Sequence, residues 1–386
     1  MSSMPMRTHR QVLVAAFTCL LGAGSHIFAD DKTPKSEPPA KPSQKLDNQE
    51  FDKRIREQLS GDAKKDDRLY QKMVKTDPND SRVWLLLGWN AAFNLSVESK
   101  DVTERYAYAK RGVERLMEGL GHNPTNAELF WNVGWYLQYR IGQIDERKNF
   151  RELFRKDKEF HKRLAQLVEL KAIDGPDSLP DNFLVAQRWF EKTIAVIEKH
   201  GKPKDSITLP SPLMVNAYPA ICQRDYAMAI ENEGCFGETA GNAWKQALKM
   251  WDDFGERAFV IQGAKVHLKD SKFGRAVVNY DYWKKRCQAE QTEPVLAARE
   301  ASYSVLERLA KQPWASTDEE PAQTKRLFDR AIGAWAIVDK EHSWLVDDDS
   351  GLDFLIRRYQ KRVLNGKPLP NDFPFRDFEK RWPYRR

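Results

Sequence analysis

The sequence predicts an all-α protein built as a helical-repeat array, and three observations predict it. Two stretches echo each other without a gap: DPNDSRVWLLLGWN from Asp77 and NPTNAELFWNVGWY from Asn123, each matched pair 46 positions apart. From about Phe51 onward, apolar residues recur at spacings of three and four, the period of a helix with one buried face. The breaks at DPND, GHNPTN, DGPDSLPD, HGKPKDS, LPSP and LPNDFP combine Pro with Gly, Asn, Asp or Ser. That is the chemistry of helix stops and N-caps.

Taken in order, the chain opens as an export signal. Arg7, His9 and Arg10 form a basic start, Val12 to Leu21 a short apolar run, and Gly22, Gly24 and Ser25 a small-residue stretch. Residues 1–29 are therefore expected to be a signal peptide cut after Ala29. The apolar run is short for a membrane span, so an uncleaved anchor is the weaker alternative. Cys19 follows Phe17 and Thr18, which are too large for a lipoprotein site. Residues 30–45, DDKTPKSEPPAKPSQK, hold one apolar residue, Ala40, and read as a flexible, extended Pro/Lys-rich tether.

The helical stripes then follow one another. Tyr106, Ala109, Val113, Leu116, Met117 and Leu120 form one. Ala186, Trp189, Phe190, Thr193, Val196 and Ile197 form a second, and Trp244, Ala247, Leu248, Trp251 and Phe254 a third. Leu327, Phe328, Ala331, Trp335 and Val338 precede a last stripe of Leu352, Leu355, Ile356, Tyr359 and Val363. No run alternates as a half-buried strand would, so no strand is expected.

The echo resembles the tetratricopeptide pattern, W-x2-L-G-x2-Y, then A-x3-F, then Pro. Trp84, Leu87, Gly88 and Ala91 fit its first helix, Gly112, Leu116 and Pro124 its second helix and exit turn, and Phe130, Val133, Gly134 and Leu137 reopen it. The unit is longer than the family's, with the extra residues around LSVESKDVTERY. A partial third match, Ala186 and Phe190, follows an insertion, ERKNFRELFRKDKEFHKRLAQLVELK, expected to be helical. Gly88 and Gly134 are expected where two helices cross too closely for a side chain. Longer motifs, NVGWYLQYRIGQIDERKNFRELF, DYAMAIENEGCFGETAGNAWKQAL, NYDYWKKRCQAEQT and PNDFPFRDF, resemble an uncharacterised group of exported helical proteins from planctomycete-type bacteria. That resemblance implies no activity. The expected organisation is repeats over 46–258 and a C-terminal helical region over 259–386 that continues the array.

Turning each residue by about 100° places Leu87, Gly88 and Ala91 near Trp84, toward the partner helix of the pair. Arg82, Leu85, Trp89 and Phe93 lie on a second face, matched by Glu128, Trp131, Trp135, Gln138 and Tyr139 in the second unit. In tetratricopeptide proteins this face lines the concave groove, and aromatics there are typical binding anchors. The candidate partner-binding groove is therefore Arg82, Leu85, Trp89, Phe93, Glu128, Trp131, Trp135, Gln138 and Tyr139. The alternative is that the inserted helix near 145–172, or the lengthened loop, covers the face and makes it core.

Other functions find less support. The 386 residues carry 41 % hydrophobic and 31 % charged residues of both signs, and mean hydropathy is −0.69, which argues against a polytopic membrane protein. Without residues 1–29 the chain has 61 basic against 56 acidic residues, a net +5 with no block of like charge, so no nucleic-acid partner is expected. RWPYRR is too short to change that. Cys222, Cys235 and Cys287 have no zinc spacing; Cys235 reads as a structural thiol or as bonded to Cys222. Asp157 and His161 share a helix face, which reads as a solvated charged face before a proton relay. VDDDSGLDFL fails the calcium-loop pattern and reads as acids capping a helix, with Ser350 and Asp353 close to a capping box. ENEGCFGETAG lacks the G-K-[ST] ending of a phosphate loop and reads as an inter-helix turn at Gly234 and Gly237. No catalytic residue, cofactor or metal is expected. The leading expectation is a protein- or peptide-binding scaffold in the cell envelope, with an envelope enzyme acting on cell-wall polymer, or a purely structural assembly subunit, as alternatives.

Overall fold

Helices dominate the computed structural model, which describes residues 48–144, 146–170, 175–204, 206–261, 263–311, 319–348 and 350–382. The signal peptide and the tether lie outside the described residues. The described residues fall into two compact units, one formed within 1–172 and 185–216, the other within 173–184 and 217–386. The boundary expected at 258/259 therefore falls inside the second unit.

In the first unit, α1 is Asn48–Gln58, α2 Ala63–Thr76 and α3 Ser81–Trp89, and α3 runs directly into a π-helix, π1, over Asn90–Leu95. After α4, Val102–His122, the pattern recurs: α5 is Ala127–Trp135 and π2 is Tyr136–Ile141. The echo in sequence is thus an echo in structure, with α5 and π2 each 46 residues after α3 and π1 at both ends. Both copies start on a cap. The Asp80 carboxylate accepts from the Arg82 N–H at 3.1 Å, and the Asn126 side chain accepts from Glu128 N–H at 2.9 Å and Leu129 N–H at 3.1 Å. The Pro78 turn is locked as well. Its carbonyl accepts from the Trp84 indole at 2.9 Å and from Asn123 Nδ2 at 3.2 Å.

The glycine crossings expected from the sequence are present. A Cβ on Gly88 would meet Leu116 of α4 at 3.0 Å, and one on Gly134 would meet Phe190 at 3.0 Å. Phe190 belongs to α8, Asn182–His200. The insertion before it is broken into α6, Arg147–Lys156, and α7, Lys158–Leu164, where Asp157 ends one helix and caps the other by accepting from the Phe160 N–H at 3.0 Å.

The second unit holds most of α9, Pro212–Asn232, then α10, Glu238–Gly255. Gly234 (φ +89) and Gly237 (φ +67) make the turn between them, in the left-handed region that suits glycine. The structure then departs from the expectation of no strand. β1, Ala258–Ile261, pairs antiparallel with β2, Ala264–His267, in register Ala258 with His267 and Ile261 with Ala264. The runs AFVI and AKVH are four residues each, too short for alternation to register, and the usable signal was Gly263 at the turn (φ +81). Helices α11 (Lys272–Val278), α12 (Tyr280–Glu290), α13 (Glu293–Lys311), α14 (Glu319–Asp348), α15 (Ser350–Arg362) and α16 (Phe378–Arg381) complete the unit. The core between α13, α14 and α15 holds Val295, Ala298, Phe328, Trp335, Leu352 and Ile356, with Phe375, Phe378 and Trp382 joining from the last segment.

Of VDDDS, read as helix caps, Asp349 and the Ser350 side chain lie outside the described residues, while Asp347 and Asp348 lie in the last turn of α14 and are bonded by side chains. Asp347 accepts from Arg381 at 2.5 Å, and Asp348 accepts from the Tyr282 hydroxyl and from Arg286 at 3.3 Å. Asp353, in the first turn of α15, pairs with Arg357 at 3.0 Å. Among the described residues no helix is long and apolar enough to cross a membrane.

One glycine offers an internal control on packing. A Cβ on Gly333, in the interior of α14, would meet nothing within 4 Å. Gly333→Ala should therefore stabilise the second unit by up to about 1 kcal/mol, the helix-propensity gain alone. Chemical denaturation checks this; a loss of stability would mean the site is crowded.

Candidate functional site

Where the two π-helices begin, the two repeat units bring four rings together. Trp89 ends α3 and Trp135 ends α5, and their rings stack at 6.1 Å with planes 12° apart. Trp89 stacks on Phe93 at 4.2 Å, and Trp135 on Tyr139 at 4.8 Å with planes 15° apart. Phe93 also lies 5.7 Å from Trp135, so Phe93 closes a triangle behind a ladder of Trp89, Trp135 and Tyr139. Trp89 and Trp135 are half-buried, Phe93 is 9 % exposed, and Tyr139 is 41 % exposed.

Of the nine residues expected to line a groove, only Trp89, Trp135 and Tyr139 present appreciable surface. Arg82, Leu85, Phe93, Glu128, Trp131 and Gln138 are buried, which corrects their assignment to an open groove. The reason differs along the face. At the start of each copy the face is latched to another segment. Arg82 pairs with Asp80 at 2.8 Å, donates to Asn48 Oδ1 at 3.2 Å and lies 4.2 Å over the Phe51 ring, so α1 covers it. The matching Glu128 carboxylate accepts from the Ile207 N–H at 2.6 Å, the Thr208 N–H and the Thr208 hydroxyl at 2.9 Å, so the 206–209 segment covers it. Burial raises the Glu128 pKa above its usual range. Trp131 packs on Phe190 at 4.7 Å. Further along, the constant helical angle fails. A π-turn closes i→i+5 instead of i→i+4, so each residue advances less around the axis. Past Trp135 that turns Gln138 inward and leaves Tyr139 outward.

Beneath the ladder lies Arg140, a residue no sequence motif singles out. Its guanidinium donates to the Ala92 carbonyl at 2.6 Å and to the Ser96 hydroxyl. It also sits 5.6 Å from the Phe93 ring and 5.1 Å from the Phe150 ring. A side chain from π2 thus satisfies a backbone acceptor in π1, tying the two irregular turns to each other. Burial lowers its pKa to about 10, leaving it charged at neutral pH.

The second unit contains a buried ionic cluster. Glu290 is fully buried and pairs with Arg286 at 3.2 Å and Arg299 at 2.6 Å. Glu231, 7 % exposed, accepts from the Trp244 indole at 2.8 Å. Burial, then the nearby charge of Glu290, pushes the Glu231 carboxyl up to about 8. A carboxylate enclosed by two guanidiniums meets no substrate, so this cluster reads as structural.

The remaining candidates resolve as scaffold. Asp157 is bonded to Lys110 at 2.7 Å and to the Tyr106 hydroxyl at 3.4 Å, while His161 is buried against Phe154 at 4.8 Å. The pair is therefore not the solvated face its charges suggest. Cys222, Cys235 and Cys287 form no disulfide, so of the two readings of Cys235 the bond to Cys222 is not formed, and burial pushes the Cys287 thiol up to about 12. No group of three His, Cys, Asp or Glu among the described residues could hold a metal ion. Compared with known proteins, the chain matches no family model, no curated protein and no solved structure.

Proposed function

We propose that the chain is an exported, tetratricopeptide-like scaffold of the cell envelope that captures a protein or peptide through the Trp89–Trp135–Tyr139 ladder, without catalysis. The observation that carries this is the ladder itself: rings from two repeat units, stacked across 6.1 Å and ending on a Tyr139 that is 41 % exposed. A core has no need to leave such rings at the surface, whereas large rings with few rotatable bonds lose little entropy on docking. The repeated order of α3, π1 and α4, then α5 and π2, with glycines at each crossing, supports the tetratricopeptide-like part of the reading.

The test is capture by cross-linking from envelope extract with the whole chain and with Tyr139→Ala. Tyr139 is 41 % exposed, so its removal should cost little beyond its stack on Trp135, roughly 0.5–1.5 kcal/mol. The expected result is a set of cross-linked proteins lost in the variant while the far-ultraviolet circular dichroism and cooperative unfolding are retained. Equal capture by both chains would remove the ladder as the site.

A further inference from the structure

The geometry points to an occupant for the ladder within the same chain: the Pro-rich stretch 34–42, PKSEPPAKP, docked as a polyproline II helix. This deepens the reading of the ladder as a docking site and rests on it.

Asn48 is fixed, because its side-chain oxygen accepts from Arg82 Nη1 at 3.2 Å. Arg82 and Trp89 are seven residues apart on α3, two turns, and so lie on one stripe of that helix about 10 Å apart. Asn48 therefore sits at one end of the stripe and the ladder at the other. Pro42 is six residues before Asn48, a reach of up to about 20 Å. From Pro42 back to Pro34 a polyproline II helix covers about 25 Å more. The stretch can lie along the whole ladder without moving α1.

The chemistry matches as well as the reach. Proline-rich segments are recognised by aromatic-lined surfaces, because the polyproline II helix is already formed and loses little entropy on binding. Pro39-Ala40-Lys41-Pro42 has the P-x-x-P spacing. One turn of that helix brings the two prolines to one side about 9 Å apart. The ladder offers two steps, 6.1 Å from Trp89 to Trp135 and 4.8 Å from Trp135 to Tyr139, so its outer rings span close to that one turn. Four lysines and three acids share residues 30–45, so nothing in the stretch opposes close approach by net charge. A segment docked this way competes with any partner of the same ladder, and a partner that wins must be proline-rich or bind more tightly than its tethered rival.

The experiment is limited trypsin digestion of the whole chain, reading the initial cleavage rate after Lys35, where Ser36 follows. Three chains are compared: the natural one, Tyr139→Ala and Pro39→Ala. Docking predicts slow cleavage in the natural chain and at least a tenfold faster rate in both variants, at every protein concentration. Tyr139→Ala acts on the ladder and Pro39→Ala on the stretch, 100 residues away in sequence, so one local folding defect cannot produce both results. Equal rates in all three chains overturn the inference. Protection that appears only as concentration rises assigns the stretch to a second copy and overturns it too. If the rates are equal yet cross-linked capture still depends on Tyr139, the ladder remains a docking site for other partners and only the self-docking fails.

Discussion

Glu290→Ala should destabilise the second unit by roughly 3–5 kcal/mol, the usual cost of removing one partner from a buried ion pair. The change removes the buried carboxylate shared by Arg286 and Arg299, whose side chains are 14 % and 19 % exposed, although Arg286 keeps Asp348 at 3.3 Å. Replacing all three charges by apolar groups should cost much less, since the penalty comes from buried charge that has lost its partner and not from the lost attraction. Urea unfolding followed by tryptophan fluorescence measures both, and a cost below about 1 kcal/mol for Glu290→Ala would mean water reaches the guanidiniums. The neighbouring Glu231 adds a pH dependence of definite sign. Its pKa rises from an ordinary 4.5 to about 8 on folding. Between those values the folded chain keeps a proton that the unfolded chain has released. Folding then takes up a proton, and stability falls as pH rises through this window. Glu231→Gln holds the same shape without titrating, so its stability relative to the natural chain should improve steadily from pH 5 to pH 8. Parallel curves across that range would show that Glu231 is already ionised in the fold.

Gly112→Ala should destabilise the first unit by roughly 1–3 kcal/mol even though alanine is the better helix former. A Cβ there would lie 2.7 Å from the Gly88 carbonyl oxygen and 2.7 Å from the Ala92 Cβ. Neither atom can rotate away, so α3 and α4 must separate. Gly88→Ala meets Leu116 at 3.0 Å and the Gly112 carbonyl oxygen at 3.1 Å, both looser than the 2.7 Å contacts at Gly112, and should cost less. The informative comparison is with Gly333→Ala, where the same chemical change has the opposite expected sign because no neighbour lies within 4 Å. If all three substitutions stabilise alike, helix propensity outweighs packing and the close crossing is not what holds α3 to α4.

These contrasts show what local sequence can reveal. Trp84, Gly88 and Trp89, repeated at Phe130, Gly134 and Trp135, were legible because a duplicated pattern carries its own alignment. Asp80 and Asn126 were legible as caps because capping is decided within three residues. Trp89 and Trp135 were found by the helical angle, which holds up to them; Tyr139 falls on the same face although it lies past the point where that angle applies. Beyond the two tryptophans the π-turns changed the angle, and neither NAAFNL nor YLQYRI advertises that change. Burial of Arg82 and Glu128 was not legible either, because their covers, Phe51 and Thr208, lie 31 and 80 residues away. The Glu231–Glu290 cluster joins α9, α12 and α13, and only a folded chain brings those carboxylates near one another. The hairpin at 258–267 escaped because four-residue strands leave too little alternation to count.

The paired π-helices also bear on descent. A π-turn accommodates one more residue than the α-helical turn it replaces. It occurs at Asn90–Leu95 and again at Tyr136–Ile141, at the same place in each copy and with no gap in the alignment between them. Two separate insertions would have to strike equivalent positions to produce this. A single insertion followed by duplication produces it once and copies it, although past Ile141 the copies differ, α4 being continuous where α6 and α7 are separate. On that history the bulge is older than the repeat. Arg140, which fastens one bulge to the other and has Asn94 as its counterpart in the first copy, is then a later specialisation of the second copy, acquired once there were two bulges to join.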